Sequence, residues 1–167
     1  MKELVRFIHE VGALKLTPRA GWLKFGIKFP ESVAEHSFRA AIIAFLLALS
    51  EDKDLEIASR AAVATLFHDL HEARTGDLDR LARCYVSIDE ERAKKDQFGE
   101  LDIEIDFSDV KNYVEDADKL ELAFQAVEYS RSSKDALVLA DKLDFKTELA
   151  KQIYKRLMDL KDMNWWI

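Results

Sequence analysis

The chain has 167 residues, of which 49% are hydrophobic and 34% are charged, and its formal net charge is −7. This apolar content excludes a disordered acidic segment, and the length suffices for one domain with its own core. The negative charge argues against broad binding to nucleic-acid polymers, and the apolar run from residue 40 to residue 49 covers only about half of the roughly 20 residues that a membrane span requires.

Few residues in this sequence favour turns or strands. Only five glycines and two prolines occur, and strand-like alternation is scarce, which predicts an all-α fold of long helices with short connections. No linker or repeat divides the chain, so we expect a single domain over residues 1–167. The single cysteine, Cys84, fits a reducing compartment, and the N-terminus does not resemble a signal peptide. We therefore expect a soluble, cytoplasmic protein.

The first part of the chain predicts two helices separated by a loop. Residues 2–14 carry apolar residues at helical spacing. Residues 15–31 form a loop that is rich in aromatic and basic residues. The second helix begins at Ser32, because Ser32 and Glu35 have the spacing of a capping box, and it runs to about Ser50.

The remaining helices are predicted over residues 55–75, 87–98, 108–131 and 134–161. The third helix is expected to end at Gly76, which is a common residue at helix C-termini. Its segment from residue 61 to residue 67 is apolar on every side, which places it at the centre of a bundle of about six helices. Trp165 and Trp166 are expected to pack onto the bundle or onto a dimer partner.

Histidine and carboxylate side chains follow directly after this apolar segment. His68 and Asp69 are adjacent, and Glu72 lies about one helical turn beyond them, so the three side chains share one sector of the helix. A buried carboxylate must be paired, and a metal ion is one way to pair it beside a histidine. Taken alone, His68 and Asp69 also fit an ordinary surface helix end.

His36 strengthens the metal interpretation. It follows the capping box by one position and aligns with the apolar residues of the second helix, so it points into the core. A stripe of small residues leads along the third helix to His68 and lets the second helix approach closely: Ala61, Ala64 and Thr65. A single inward histidine is usually bonded to a backbone carbonyl, but two on neighbouring helices beside an aspartate favour a metal site.

A fourth ligand is expected from a later helix. Asp118 has apolar residues one turn to either side and is the preferred candidate. Asp141, with a similar local pattern, comes second. Asp116 comes third, because Asn112 lies one turn before it and predicts a more exposed side chain.

Two histidines and two aspartates form a mixed set of nitrogen and oxygen donors: His36, His68, Asp69 and Asp118. Such a set suits Mn²⁺, Co²⁺, Fe²⁺ or Ni²⁺, with Mg²⁺ and Zn²⁺ as alternatives. Four protein ligands on an octahedral ion leave two positions for water and a phosphate oxygen. The ion would activate that water and polarise the phosphate, which predicts hydrolysis of a phosphate ester.

The order of these residues resembles the H…HD…D signature of the HD-domain phosphohydrolases. Three longer blocks resemble the 5′-deoxyribonucleotidase branch of that superfamily: residues 18–22 (PRAGW), 30–37 (PESVAEHS) and 68–77 (HDLHEARTGD). The resemblance covers about residues 15–130 and implies the helical bundle of an HD domain. It also implies a metal-dependent phosphomonoester hydrolase that acts on (deoxy)ribonucleoside 5′-monophosphates and forms a homodimer.

The same resemblance implies roles for four further residues. Glu72 would position or deprotonate the metal-activated water, and Asp77 would manage the leaving-group proton or its hydrogen bonds. Arg19 would hold phosphate or sugar oxygens with its guanidinium group. Trp22 would form a wall of the sugar or base pocket; the alternative is that it caps the hydrophobic core.

The sequence departs from the 5′-deoxyribonucleotidase branch at two places. His71 occupies a variable position and is a further candidate to approach the ion, and residues 78–80 lack the proline-containing segment of bacterial relatives.

Two other functions are kept as hypotheses. A second hypothesis is an HD phosphohydrolase acting on a cyclic nucleotide, a triphosphate or an alarmone, although the chain lacks room for the extra helices that enclose bulkier ligands. A third is a non-catalytic nucleotide-binding HD module, against which the intact ligand set with Glu72 argues.

Overall fold

The fold is built from α-helices joined by short loops and 3₁₀ turns. The computed structural model describes residues 1–101 and 106–160, and this part of the chain contains helices but no strand. The α-helices are α1 (Lys2–Gly12), α2 (Val33–Asp52), α3 (Leu55–Phe67), α4 (Glu72–Thr75), α5 (Glu90–Phe98), α6 (Lys111–Tyr129) and α7 (Glu148–Leu160). The predicted all-α fold class is confirmed, whereas the expectation for Trp165 and Trp166 falls outside the described residues.

The predicted start of α2 is confirmed. The hydroxyl of Ser32 accepts a hydrogen bond from the Glu35 amide at 3.2 Å, and the Glu35 carboxylate accepts one from the Ser32 amide at 2.7 Å. This capping box satisfies two amides that have no partner within the first helical turn. It also fixes where α2 begins, so that His36 on the first turn faces the core with no exposed surface.

Helices α2 and α3 pack through small side chains, as predicted. Both contribute to one buried cluster: Ala44, Ala48, Ala58, Ala61 and Ala64. Alanine on both sides allows a close approach of the two helices. The expectation that residues 61–67 are buried on every side is wrong, because Val63 and Leu66 are 42% and 44% exposed. Helix α3 packs mainly against α2 and α6, and its opposite face reaches the surface.

Helix α2 is long and apolar enough to cross a membrane, judged by length and composition alone. Its residues Ala40, Ala44 and Leu47 are fully buried against other helices of the bundle. Near its N-terminus, His36 and Arg39 bond to the Glu121 carboxylate of α6. These contacts account for the apolar composition of α2 as that of a core helix.

The third predicted helix, over residues 55–75, is interrupted in the structure. After Phe67 the chain makes a turn over residues 68–71 and then forms the short α4. In this turn the Glu72 amide bonds to the Asp69 carbonyl three residues back, where an α-helix would use the fourth. The predicted stop at Gly76 is confirmed, and its φ of +72° is a conformation that favours glycine.

The last predicted helix, over residues 134–161, is wrong as a continuous element. Lys134–Ala140 is a 3₁₀ segment, α7 begins only at Glu148, and residue 161 lies outside the described part of the chain. Asp116 of α6 accounts for the break, because its carboxylate accepts hydrogen bonds of 2.7 to 3.0 Å from the Lys146 and Thr147 amides and the Thr147 hydroxyl. Asp116 is fully buried, which contradicts the expectation of an exposed side chain.

Asp116→Asn is expected to lower the free energy of unfolding by about 1–3 kcal/mol, the cost of leaving buried donors without an acceptor. An asparagine keeps one oxygen but turns an NH₂ group toward a backbone amide. Urea denaturation followed by circular dichroism measures the change. Asp141→Asn is the matched control, because the Asp141 side chain is 66% exposed. Equal stability of the two variants would contradict the anchoring role of Asp116.

Candidate metal centre

The turn after α3 and the helices α2 and α6 bring four side chains to one point. The Nε2 atom of His68 lies 3.0 Å from Oδ2 of Asp69. The Nε2 atom of His36 lies 3.9 Å from the same Asp69 oxygen and 3.1 Å from Oδ1 of Asp118. Donor atoms of His36, His68 and Asp69 all fall within 4.8 Å of one another. The structure therefore brings together the four residues that the sequence predicts as metal ligands.

Both imidazole rings are held by the nitrogen that points away from this cluster. The Nδ1 atom of His68 contacts the Thr65 carbonyl at 2.5 Å, and Nδ1 of His36 contacts the Glu121 carboxylate at 2.5 Å. Each Nδ1 can donate its proton there, which leaves the lone pair of Nε2 directed at the cluster. Both Nε2 atoms are buried and lack a hydrogen-bond partner in the described part of the chain. Unsatisfied nitrogens beside two carboxylates fit a divalent cation.

Charged side chains around this point shift one another's pKa values. Burial is the largest single influence on Asp69 and raises its pKa, but His68, Arg19 and His36 together outweigh burial, so the pKa of Asp69 falls below its usual range. Burial lowers the pKa of His36, but the carboxylates of Asp118 and Glu121 beside its two ring nitrogens together outweigh burial and raise the pKa to about 9. Without a metal, the imidazole of His36 therefore carries a proton at neutral pH. A cation bound to these carboxylates would take the place of that positive charge.

Glu72 differs from Asp69 and Asp118 in the direction of its pKa shift. Its side chain is buried, and Oε2 has no hydrogen-bond partner in the described structure. Burial, followed by the negative charges of Asp69 and Asp77, raises the pKa of Glu72 to about 8. A carboxyl group whose pKa lies near neutrality suits proton transfer, because it can both accept and release a proton.

A cavity of about 540 Å³ opens onto this cluster, within the size range of small-molecule sites. Arg19 reaches it from the first loop, and its guanidinium lies 3.6 Å from Asp69 and 3.9 Å from Asp118. Asp77 lines the same cavity and accepts a hydrogen bond of 2.6 Å from the Ala20 amide, which ties the first loop to the segment after α4. Additional basic residues also line the cavity: Lys24, Arg80 and Arg83.

Trp22 belongs both to the core and to the cavity wall. The side chain is only 1% exposed, and its ring packs edge-on against Tyr129 with the ring centroids 5.1 Å apart. The indole N–H donates a hydrogen bond to Glu31 at 3.1 Å. The same residue lines the cavity beside Arg19. The two alternatives for Trp22 are thus compatible with each other.

The other residues considered as metal ligands have different surroundings in the structure. Asp116 is buried, but its oxygens are taken up by the Lys146 and Thr147 donors. Asp141 is exposed at the end of the 3₁₀ segment. His71 is buried with its Nε2 atom 3.8 Å from Glu90, and burial lowers the pKa of its imidazole.

Sequence reasoning missed the residues behind His36. Glu121 is fully buried and contacts both His36 and Arg39. Glu31 lies close enough to His36 and Glu121 for the three to form a second cluster of possible metal ligands. Burial and then the charge of Glu121 raise the pKa of Glu31 to about 7. One signal was available: Glu121 follows Asp118 by three residues, so the two carboxylates share a face of α6.

A family model described as the HD domain matches residues 11–161 of this chain. The 5′-deoxynucleotidase HDDC2 of Xenopus laevis is 30% identical over 150 aligned residues, which cover 80% of this chain and 72% of that protein.

Two solved structures are more similar still. A crystal structure described as a genomics target is 59% identical, has a TM-score of 0.98 and matches 100% of both chains. A predicted coding region of Archaeoglobus fulgidus is 53% identical with a TM-score of 0.85, and the match covers 99% of this chain and 100% of that one. Neither description states an activity, so these two support the fold.

Proposed function

This chain belongs to the HD-domain family and to its 5′-deoxynucleotidase branch, and from that premise we propose that it hydrolyses (deoxy)ribonucleoside 5′-monophosphates to nucleoside and phosphate. One observation carries the proposal: the convergence of His36, His68, Asp69 and Asp118 at a cavity that also contains Arg19. A nucleotide substrate and the exposed thiol of Cys84 fit a location in the reducing cytoplasm.

We propose that those four side chains hold one divalent cation, with Mn²⁺, Co²⁺, Fe²⁺ or Ni²⁺ favoured by the mixed nitrogen and oxygen donors. When bound, such a cation supplies activation of water and polarisation of the phosphate. His36 and His68 offer buried Nε2 atoms, and Asp69 offers a carboxylate between them. Asp118 is the most accessible member, with 42% of its side chain exposed.

The chain's other polar residues then have distinct tasks. Arg19 is close enough to the cluster for its guanidinium to bind the phosphate group and orient it. Glu72 accepts the proton of the attacking water, since its Oε2 atom is free of other hydrogen bonds in the described structure. Asp77 holds the Ala20 amide and so fixes the loop that carries Arg19, and it lines the cavity on the leaving-group side that we assign to the nucleoside.

Release of inorganic phosphate from a panel of nucleotides tests the proposal. We expect turnover of deoxyribonucleoside 5′-monophosphates with added Mn²⁺ or Co²⁺, loss of turnover with a chelator, and its return when the metal is restored. A metal-loaded protein that releases no phosphate from any monophosphate would contradict the proposal. Cleavage confined to triphosphates, cyclic nucleotides or alarmones would favour the other HD phosphohydrolase activities, and nucleotide binding without turnover would favour a non-catalytic module.

We also propose that two copies of the chain form a homodimer. Helix α2 presents three large apolar residues at intervals of four on its outer face, and they are between 48% and 65% exposed: Phe38, Ile42 and Leu46. Such a row on one helix face is a typical contact surface between protein chains. Their alternation with buried alanines of the same helix means that the row can be altered without disturbing the core.

Ile42→Glu is expected to convert the dimer to a monomer, because a charge in the middle of an apolar interface loses its hydration without gaining a partner. Light scattering coupled to size-exclusion chromatography measures the mass. Ile42→Val is the matched control and should leave the mass unchanged. A wild-type protein that is monomeric at every concentration tested would refute the homodimer proposal.

A further inference from the structure

One turn of α6 places a carboxylate at each nitrogen of the same imidazole ring. Asp118 and Glu121 are three residues apart and therefore lie on one face of the helix. Oδ1 of Asp118 is 3.1 Å from Nε2 of His36, and Oε2 of Glu121 is 2.5 Å from Nδ1. The first contact faces the proposed cation position, and the second faces the interior of the bundle. Only Asp118 belongs to the ligand set proposed above.

Glu121 is itself held in place by a guanidinium group. Its Oε1 atom accepts hydrogen bonds from Nε and Nη2 of Arg39 at 3.0 and 2.7 Å. Arg39 also donates to Gln125 and to Glu128, both at 2.6 Å, on the following turns of α6. The guanidinium thus binds three side chains of one helix and leaves Oε2 of Glu121 for His36.

The two histidines of the site are held in different ways. The Nδ1 atom of His68 contacts the carbonyl of Thr65 on its own helix, so the local backbone supplies its acceptor. The Nδ1 atom of His36 instead contacts the side chain of Glu121 on the neighbouring helix α6, and among the described residues it has no other hydrogen-bond partner. A fully buried glutamate is costly unless its charge is paired, and this one is paired with Arg39 while its second oxygen serves the ring.

We propose that Glu121 is a positioning residue: it fixes the His36 imidazole with Nδ1 protonated and Nε2 directed at the cation, and Arg39 holds Glu121 in that position. A carboxylate partner both sets the ring orientation and makes the ligand nitrogen more basic, and loss of such partners in metal sites weakens metal binding by about 10–100-fold. This inference rests on the proposed metal-dependent function.

The first test is the affinity for Mn²⁺, measured by isothermal titration calorimetry on the full chain. Glu121→Gln is nearly isosteric and removes the charge, and we expect its dissociation constant to rise about 10–100-fold. Glu115→Gln is the matched control, because Glu115 lies on the same helix and pairs with Lys111 at 3.6 Å on the surface. Its affinity should equal that of the wild type.

The second test reports the ring itself and needs no turnover. In Zn²⁺-loaded protein labelled with ¹⁵N-histidine, the Nδ1 proton of His36 should give a downfield, slowly exchanging resonance, because it lies in a buried bond to a carboxylate. Glu121→Gln should move this resonance upfield and speed its exchange with water. The corresponding resonance of His68 should stay in place, since its acceptor is the Thr65 carbonyl.

Glu121→Asp serves as a second variant, because it keeps the charge opposite Arg39 while it withdraws the acceptor by one methylene group. If the variants fold but bind Mn²⁺ as tightly as the wild type, with the His36 resonance unchanged, the inference is overturned. Failure of the proposed function is distinguishable: a wild-type protein without phosphatase activity, but with Mn²⁺ affinity that depends on Glu121, keeps the inference and rejects the activity.

Discussion

Asp69→Asn is expected to remove cation binding and to lower phosphate release by about a thousandfold or more. The Asp69 carboxylate lies between both histidines and also faces Arg19, so it is the most connected of the four proposed ligands. An amide oxygen is neutral and binds a divalent cation more weakly than a carboxylate does. Since a bound metal supplies several kcal/mol of transition-state stabilisation, its loss corresponds to at least three powers of ten in rate. Calorimetry with Mn²⁺ and a phosphate-release assay measure the two effects.

Asp141→Asn is the control for this prediction, because Asp141 was the second candidate for the fourth ligand and lies on the surface in the structure. It should bind Mn²⁺ and turn over substrate as the wild type does. If Asp69→Asn kept its metal affinity while Asp141→Asn lost it, the assignment of the cluster would be wrong. Circular dichroism of both variants separates loss of the ion from loss of the fold.

The parts of the site that depend on local sequence could be predicted. The capping box of Ser32 and Glu35 fixes the start of α2 and with it the inward direction of His36. The small residues of α3 allow the close packing that brings the His36 and His68 rings to a centroid distance of 5.6 Å. Both inferences needed only the spacing of residues within one helix or on two neighbouring helices.

The parts that depend on contacts distant in sequence could not be predicted. Asn112, one turn before Asp116, predicts an exposed side chain, but the partners of Asp116 at residues 146 and 147 are about thirty positions away. The same contact holds residues 146 and 147 just before α7, so it also bears on the wrong expectation of a continuous helix over residues 134–161. The sequence does not reveal the role of Glu121, because its buried charge is paired with Arg39, which reaches it from α2.

The break after α3 lies within the site itself. A continuous helix would rotate Asp69 by about 100° from His68, yet their side chains meet at 3.0 Å. The turn over residues 68–71 departs from helical geometry at the point where these side chains lie together. Helical periodicity correctly grouped His68, Asp69 and Glu72, but it could not show that the backbone leaves the helix between them.

Glu72 is the residue whose surroundings are most clearly suited to proton transfer. It is 3% exposed, and burial together with Asp69 and Asp77 raises its pKa to about 8. Positive charge placed among these carboxylates favours the ionised form of Glu72. The carboxylate would then be ready to accept a proton at neutral pH, and release of that proton toward the departing nucleoside oxygen would complete the cycle.

Glu72→Gln is therefore expected to lower kcat by about 10²–10⁴-fold, the usual contribution of a positioned general base, with the Mn²⁺ affinity retained. The amide keeps the size of the side chain but cannot accept a proton. Phosphate-release kinetics and calorimetry on the same sample measure both quantities, and Glu148→Gln, a surface exchange in α7, is the matched control. Joint loss of metal and turnover would instead make Glu72 a ligand. Full turnover in the variant would exclude it as the base and leave Asp77 as the remaining acid–base candidate of the cavity.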